Sequence, residues 1–405
     1  MLLREKTKIL FVISYLDTGG AERALAEITK NLPNDWEIDI LVNSKRRVDF
    51  DYRGNLLDLK MDEEPKMLSI FFHVKILCKR IAALRHLKKH GGYNACISFL
   101  DSANVANILT GNAYCKTIIS IRNSLMKQAK LPQYKYIVNP LAKRLYSRAD
   151  WIVAVSKGVR MELVEQFKLP KEKVVAIENG YDIKRINELA ERELDAEETE
   201  FVKNKKVVIT VGRLTDQKGQ WHLLRAFSEV VKKLNNTVLI IVGGGELEEY
   251  LRSVAKKMKI EDKVLFVGHS KNPYKYLKRS DVFVLPSLYE GFPNAMAEAI
   301  CMGLPCVATA FRTGACELLA PSSDEDILNT RELAKVEYGI ISPCCSGNKL
   351  FDEPLEKEEV ELSKAICEML EDEKLRFYYA EMSKERRLEL GIDSVIRKYE
   401  DIVSG

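Results

Sequence analysis

Two carboxylates eight residues apart, Glu290 and Glu298, and two cations five residues apart, Arg213 and Lys218, are the residues whose types and spacing suit group-transfer chemistry. The carboxylates lie in PSLYEGFPNAMAEAICMGLPCVAT, residues 286–309, behind the apolar run VFVL at 282–285. That run reads as a buried parallel strand, and the stretch after it reads as a helix whose first turn carries Glu290, Gly291 and Pro293. At 100° per residue the two glutamates are offset by roughly 80°, so they can face one ligand at different depths. Gly291 admits a close approach, and the stretch Phe292, Pro293, Asn294, Ala295 opens the helix, where free backbone N–H groups can hold a phosphate. Arg213 and Lys218 follow the strand VVITV beside Gly212, a placement suited to neutralising a diphosphate leaving group. Taken singly, each pair also fits a solvated helix start or solvated loop cations. Their joint presence points to one site.

These stretches resemble the retaining glycosyltransferases of the two-domain GT-B class, family 4 in particular. In that family the first glutamate of the pair contacts the hydroxyls of the transferred sugar and the second holds the nucleotide ribose diol, which implies these roles for Glu290 and Glu298. The match to G-R-(x)4-K-G at 212–219 implies that Arg213 and Lys218 hold the donor phosphates. The opening GGAER at 19–23 resembles the family's first loop, whose glycines, here Gly19 and Gly20, approach the donor diphosphate. The turn at Gly243 resembles a segment near the nucleotide, and Val267, Gly268 and His269 match the stretch whose backbone receives the nucleobase, with uracil expected. TAFRTGACELL resembles transferases of a hexose or N-acetylhexosamine and implies that Thr313 and Gly314 lie near the donor sugar and phosphates.

On the acceptor side the resemblance departs from the family pattern. Asp101, Arg122 and Asn123 follow the strands ACISFL at 95–100 and TIISI at 117–121. Many members carry a histidine where this chain has Arg122, so the obvious general base is missing. Two readings stay open: Arg122 holds an anionic acceptor such as a diphosphate, or it makes a structural ion pair, to Asp101 for example.

The elements that must position these residues read as an α/β chain with doubly wound parallel sheets. KILFVIS at 8–14 and WEIDILV at 36–42 begin the first sheet, and VVITV at 207–211, TVLIIV at 237–242 and VFVL build the second. A length of 405 residues exceeds one ordinary core and suggests two domains. The expected division is an acceptor-binding Rossmann-like domain at 1–182, completed by a C-terminal helix at about 388–405, and a nucleotide-sugar domain at 207–387. Residues 183–206, rich in charge and poor in apolar periodicity, read as an exposed connector, and the GT-B resemblance puts the active site in a cleft between the lobes. Only Gly19 and Gly20 stand where a nicotinamide fingerprint needs three glycines, so a dinucleotide redox site is not expected.

Charge is distributed unevenly. Residues 65–149 hold 15 Lys or Arg and a single acid, Asp101, while the remainder holds 48 basic and 58 acidic residues. The first half therefore meets something anionic. Within it, residues 67–90 read as an amphipathic helix with Ile70, Val74, Leu77, Ile81 and Leu84 on one face and Lys75, Lys79, Arg85 and Lys89 on the other. This is either a surface helix packed on its sheet or an attachment to an anionic bilayer. No nucleic-acid-binding fingerprint accompanies the basic residues. The nine cysteines show no metal spacing and read as reduced core thiols, and no apolar run reaches membrane-spanning length, so the expected location is cytoplasmic.

The expectation is a retaining glycosyltransferase that uses a UDP-sugar, needs no metal or other cofactor, and acts on a polyprenyl-diphosphate-linked glycan at the inner face of the membrane. A soluble acceptor, a silent sugar-nucleotide binder and a glycan phosphorylase are the alternatives.

Overall fold

The computed structural model describes residues 6–405 apart from 18, 47, 62–69, 129–133, 312–313, 323–328 and 350–352. The chain divides into two compact units, one of Met1–Gly180 with Ile392–Gly405 and one of Tyr181–Gly391. Among the described residues of the first unit, strands β1 (Lys8–Val12), β2 (Glu37–Val42), β3 (Asn55–Asp58), β4 (Ala95–Phe99), β5 (Lys116–Ile121), β6 (Trp151–Ala154) and β7 (Val174–Ala176) form one sheet. Its order is β3-β2-β1-β4-β5-β6-β7, with every neighbouring pair parallel. The second unit repeats the plan with β8 (Lys206–Val211), β9 (Thr237–Val242), β10 (Val264–Gly268), β11 (Val282–Leu285), β12 (Cys306–Thr309), β13 (Ala334–Val336) and β14 (Gly339–Ser342). Here the order is β10-β9-β8-β11-β12-β14-β13, and among the described residues its pairs are parallel apart from β13–β14, which is antiparallel.

Parallel strands need crossovers, and the crossover helices cover both sheet faces, which is why the strands are continuous apolar runs. In β1, Ile9 and Phe11 join the core beneath Leu25 and Ile28 of the helix Gly20–Asn31, and Leu10 and Val12 join the opposite core with Leu84 and Ala103. Full burial of a side chain such as Phe11 contributes about 2–3 kcal/mol. The last helix, Ile392–Ser404, buries Ile392, Val395, Ile396, Tyr399, Ile402 and Val403 in the first of these cores. In the second unit the helices Gln220–Lys233 and Lys357–Glu371 bury Trp221, Leu224, Phe227, Leu362 and Ile366 against Val208, Leu239 and Val284.

Residues 183–206 differ from the expected exposed connector. They form the helices Ile183–Ala190 and Ala196–Val202, capped by Asp182 and Asp195, and belong to the second unit. Ile186, Ala190 and Leu194 are buried, and Glu198 accepts from Tyr276 Oη at 2.6 Å. The charge surrounding these few apolar positions hid their helical period.

The long helix spans Ile70–His90, and its inner face also differs from the expected one. Val74 is 52% exposed, and the side chain of Ile70 lies outside the described residues. Arg80 and Lys88 are buried instead, beside Leu84 and the half-buried Leu77 and Ile81. Lys88 Nζ donates to the carbonyls of Asn107 (3.1 Å) and Gly111 (2.7 Å) and to Thr117 Oγ1 (3.0 Å). Long aliphatic stems let both cations pack as apolar residues while their heads find oxygen partners. Lys75, Lys79, Arg85 and Lys89 are exposed. No helix among the described residues is long and apolar enough to cross a membrane.

Candidate active site

Strand order reverses between β8 and β11 in the second sheet and between β1 and β4 in the first, and ligands of such sheets sit at the carboxyl ends of the strands at these points. Of the expected donor-side residues, those of the second unit lie at the carboxyl ends of its strands. Gly212, Arg213 and Lys218 follow β8, Gly243 follows β9, Gly268 closes β10 with His269 after it, Glu290 to Asn294 follow β11, and Gly314 follows β12. Thr313 lies outside the described residues.

Glu290 is 6% exposed and is not part of a helix first turn, contrary to the reading of the sequence. The helix begins only at Asn294 and runs to Cys301, with Pro293 capping it at a non-helical ψ of 82°. Pro293 carries no N–H, and the Asn294 N–H is already given to the Phe292 carbonyl at 3.1 Å. Glu290 is held in the loop by its own contacts. One carboxylate oxygen, Oε1, pairs with Lys218 Nζ and accepts from Ser287 Oγ at 2.8 Å, while Oε2 accepts from Gln217 Nε2 at 3.0 Å. Gln217 Nε2 also donates to the Tyr289 carbonyl at 2.9 Å, and the Leu288 N–H donates to the Gln217 carbonyl at 2.9 Å. The loops after β8 and β11 are thus laced together around the buried Glu290 and its half-buried partner Lys218. Arg213 is exposed, and its side chain has no acidic partner among the described residues. Glu298, 3% exposed on the helix, accepts from Tyr274 Oη at 2.8 Å.

Glycines set how closely these loops approach. A Cβ on Gly243, at φ +144°, would lie 1.9 Å from the Gly212 carbonyl oxygen, and one on Gly219, at φ +60°, 2.5 Å from the Pro286 carbonyl oxygen. Both positions demand glycine on sterics as well as on φ. Gln217, Ser287 and Tyr274 escaped the sequence reading. A polar side chain next to a catalytic candidate carries no local signal; only the fold shows which carboxylate it meets.

In the first unit Gly19 and Gly20 follow β1, Asp101 follows β4, and Arg122 and Asn123 follow β5. Arg122 is buried, pairs with Asn179 Oδ1, donates to Ser120 Oγ at 3.4 Å and lies over the Phe99 ring at 5.5 Å. Asp101 accepts from Tyr146 Oη at 3.1 Å, and Asn123 is exposed. Glu22 lies in the first turn of the helix Gly20–Asn31. Burial pushes its carboxyl up, backbone N–H bonds and the charge of Arg122 oppose that rise, and the carboxylate fills the space where a Gly19 Cβ would stand. Arg80 ties this end of the sheet together, donating to Asn43 Oδ1 (2.6 Å) after β2, to Ser14 Oγ (3.2 Å) after β1 and to Ser102 Oγ (2.9 Å) after β4.

The chain is 33% identical, over 72% of each chain, to a glycosyltransferase of Methanocaldococcus jannaschii. It belongs to glycosyltransferase family 4. The model "Glycosyltransferase Family 4" matches residues 18–185, and the model "Glycosyl transferases group 1" matches residues 191–330. The chain is also 27% identical, over 93% of each chain, to the Campylobacter jejuni N-acetylgalactosamine-N,N'-diacetylbacillosaminyl-diphospho-undecaprenol 4-alpha-N-acetylgalactosaminyltransferase. A crystal structure of Anabaena HepE with UDP and glucose shares the fold at a TM-score of 0.73 and 17% identity, covering 98% of this chain and 99% of that one. Its architecture is the two-domain GT-B fold of the glycosyltransferases.

For this glycosyltransferase the question of metal ligands has one candidate group among the described residues, His222, Cys345 and Glu356, whose ligand atoms lie within 4.8 Å of one another. Each polar member is already engaged. His222 Nδ1 meets Glu359 Oε1 at 2.8 Å, His222 Nε2 accepts from the Gly347 N–H at 3.2 Å, and Glu356 Oε2 accepts from the Ser346 N–H at 3.2 Å. These bonds anchor a loop, and the cluster lies outside the expected donor residues. All nine cysteines are free thiols.

Proposed function

We propose that this family 4 enzyme transfers a hexose or N-acetylhexosamine from a UDP-sugar to a hydroxyl of a polyprenyl-diphosphate-linked glycan, with retention of configuration. The observation that carries the reading is the buried Glu290, held by Lys218 at the reversal point of the second sheet, beside the exposed Arg213. Glu290 binds the hydroxyls of the transferred sugar, Glu298 binds the ribose diol, and Arg213 and Lys218 neutralise the donor diphosphate. The new bond from the acceptor oxygen to the anomeric carbon forms on the face from which the sugar–phosphate bond breaks. The acceptor proton passes to the leaving phosphate oxygen, so no protein nucleophile is required. UDP is taken from the family resemblance. The lipid-linked acceptor is supported by the Campylobacter relative, whose name specifies a diphospho-undecaprenol substrate. Asp101, Arg122 and Asn123 are assigned to the acceptor. The exposed cations Lys75, Lys79, Arg85 and Lys89 are assigned to the anionic inner face of the cell membrane, where each adds on the order of 1 kcal/mol.

The test is UDP release by the purified protein from UDP-glucose, UDP-galactose and their N-acetylated forms, with and without bacterial lipid extract and with EDTA. Release from one donor that requires the lipid fraction, persists in EDTA and is lost in Glu290→Gln is the expected result. Equal release without lipid would remove the lipid acceptor, and equal release by Glu290→Gln would remove the assignment of Glu290.

A further inference from the structure

The chain passes from the first unit to the second between Gly180 and Tyr181 and returns between Gly391 and Ile392. The residues at these passages are neighbours. Tyr181 forms a short parallel bridge with Gly391, and its N–H donates to the Leu390 carbonyl at 3.0 Å. The Tyr181 side chain is only 5% exposed, and its hydroxyl donates to Asn294 Oδ1 at 2.6 Å, across 113 residues of sequence. Asn294 is the first residue of the helix Asn294–Cys301, four residues after Glu290 and four before Glu298.

A primary amide presents an acceptor at one end and two donors at the other, so a hydrogen bond to Oδ1 determines which end faces which way. In a site where the neighbouring backbone amides and two glutamates serve one ligand, that orientation decides whether Asn294 offers donors or repulsion to the ligand's oxygens. Burial of the phenol makes the bond costly to leave unmade, so it holds the amide firmly. We propose that Tyr181 is a positioning residue of the donor site, orienting Asn294 from the point where the chain passes between the units. The inference rests on the reading that a nucleotide sugar is held at this helix.

The test is a double-mutant cycle in donor affinity. The dissociation constant of whichever of UDP-glucose, UDP-galactose and their N-acetylated forms binds most tightly is measured by calorimetry for the intact chain, Tyr181→Phe, Asn294→Ala, the double variant and Glu298→Gln. Tyr181→Phe removes one hydroxyl and weakens binding about 5-fold, the scale of one neutral hydrogen bond. Asn294→Ala weakens it at least as much, and the double variant matches Asn294→Ala, because the hydroxyl acts through that amide. Additive losses would overturn the inference. So would wild-type affinity in Tyr181→Phe, including the case where only its Tm falls; if Glu298→Gln still weakens binding, the donor-site reading survives. Wild-type affinity in Glu298→Gln, or no UDP-sugar bound at all, would overturn the donor-site reading and this inference with it.

Discussion

At the position of Glu290 a carboxylate is 6% exposed and three side chains, Lys218, Gln217 and Ser287, are committed to holding it. The two cations of the site are therefore unequal. Arg213 is exposed and can meet a phosphate without giving up a partner, whereas Lys218 does so only by sharing or leaving Glu290. Arg213→Ala and Lys218→Ala should each lower turnover by roughly 100-fold or more, the scale of losing a main charge stabiliser. They should differ in stability. Lys218→Ala leaves a buried carboxylate without its cation and costs on the order of 2 kcal/mol, while Arg213→Ala leaves the unfolding midpoint unchanged. Steady-state kinetics and urea unfolding of the two variants check both statements, and normal turnover in either would remove that residue from the mechanism.

Among the elements, the helix Ile70–His90 carries two tasks on two faces. Its outer face presents Lys75, Lys79, Arg85 and Lys89 to solvent. Its inner face sends Arg80 to the loops after β1 and β2 and to Ser102 beyond β4, and no carboxylate is among those hydrogen-bond partners. Burial pulls the Arg80 guanidinium down to about 10, which leaves it charged at neutral pH. Arg80→Ala removes charge-assisted hydrogen bonds to three polar groups, and a loss of about 2–3 kcal/mol is expected in urea unfolding. A loss below about 0.5 kcal/mol, the lower bound for one net hydrogen bond, would show that those loops are held by other contacts. The Gly243–Gly244–Gly245 turn is the opposite case. By itself it signals only a tight turn, yet the approach of Gly243 to the Gly212 carbonyl makes it part of the packing between the β8 and β9 loops.

For the whole molecule, the second unit contains a buried charge cluster outside the donor site. Glu359 accepts from His222 and from Arg225 Nε, each at 2.8 Å, and Arg225 Nη2 also donates to the carbonyls of Glu353 and Pro354. Burial raises the Glu359 carboxyl, but the hydrogen bonds from His222, Arg225 and the Glu356 N–H outweigh it and hold the carboxyl below its ordinary 4.5. A depressed carboxyl contributes stability that is fully present above the ordinary value and is lost as the pH falls through the folded one. The Tm should therefore fall as the pH is lowered from about 4.5, and Glu359→Gln should flatten that fall while lowering the Tm at neutral pH. An unchanged slope in a calorimetric pH series would contradict this.

Much of this molecule was legible as sequence. Strands buried on both faces are unbroken apolar runs, so KILFV, TVLIIV and VFVL announced themselves, and a glycine with two cations at 212–219 and two glutamates eight residues apart within 286–298 marked the candidate site. Short amphipathic helices wrapped in charge, such as Ile183–Ala190, were not legible, nor was the burial of Arg80 and Lys88, because a long cation scores as polar wherever its stem lies. The sequence alone therefore determined the α/β class, the family and the residues that could do chemistry. The tertiary structure decided that Lys218 meets Glu290 across 72 residues, that Tyr274 meets Glu298, and that Tyr181 meets Asn294. Those meetings depend on which strands are neighbours, and strand order is set by crossovers and packing that no local pattern encodes.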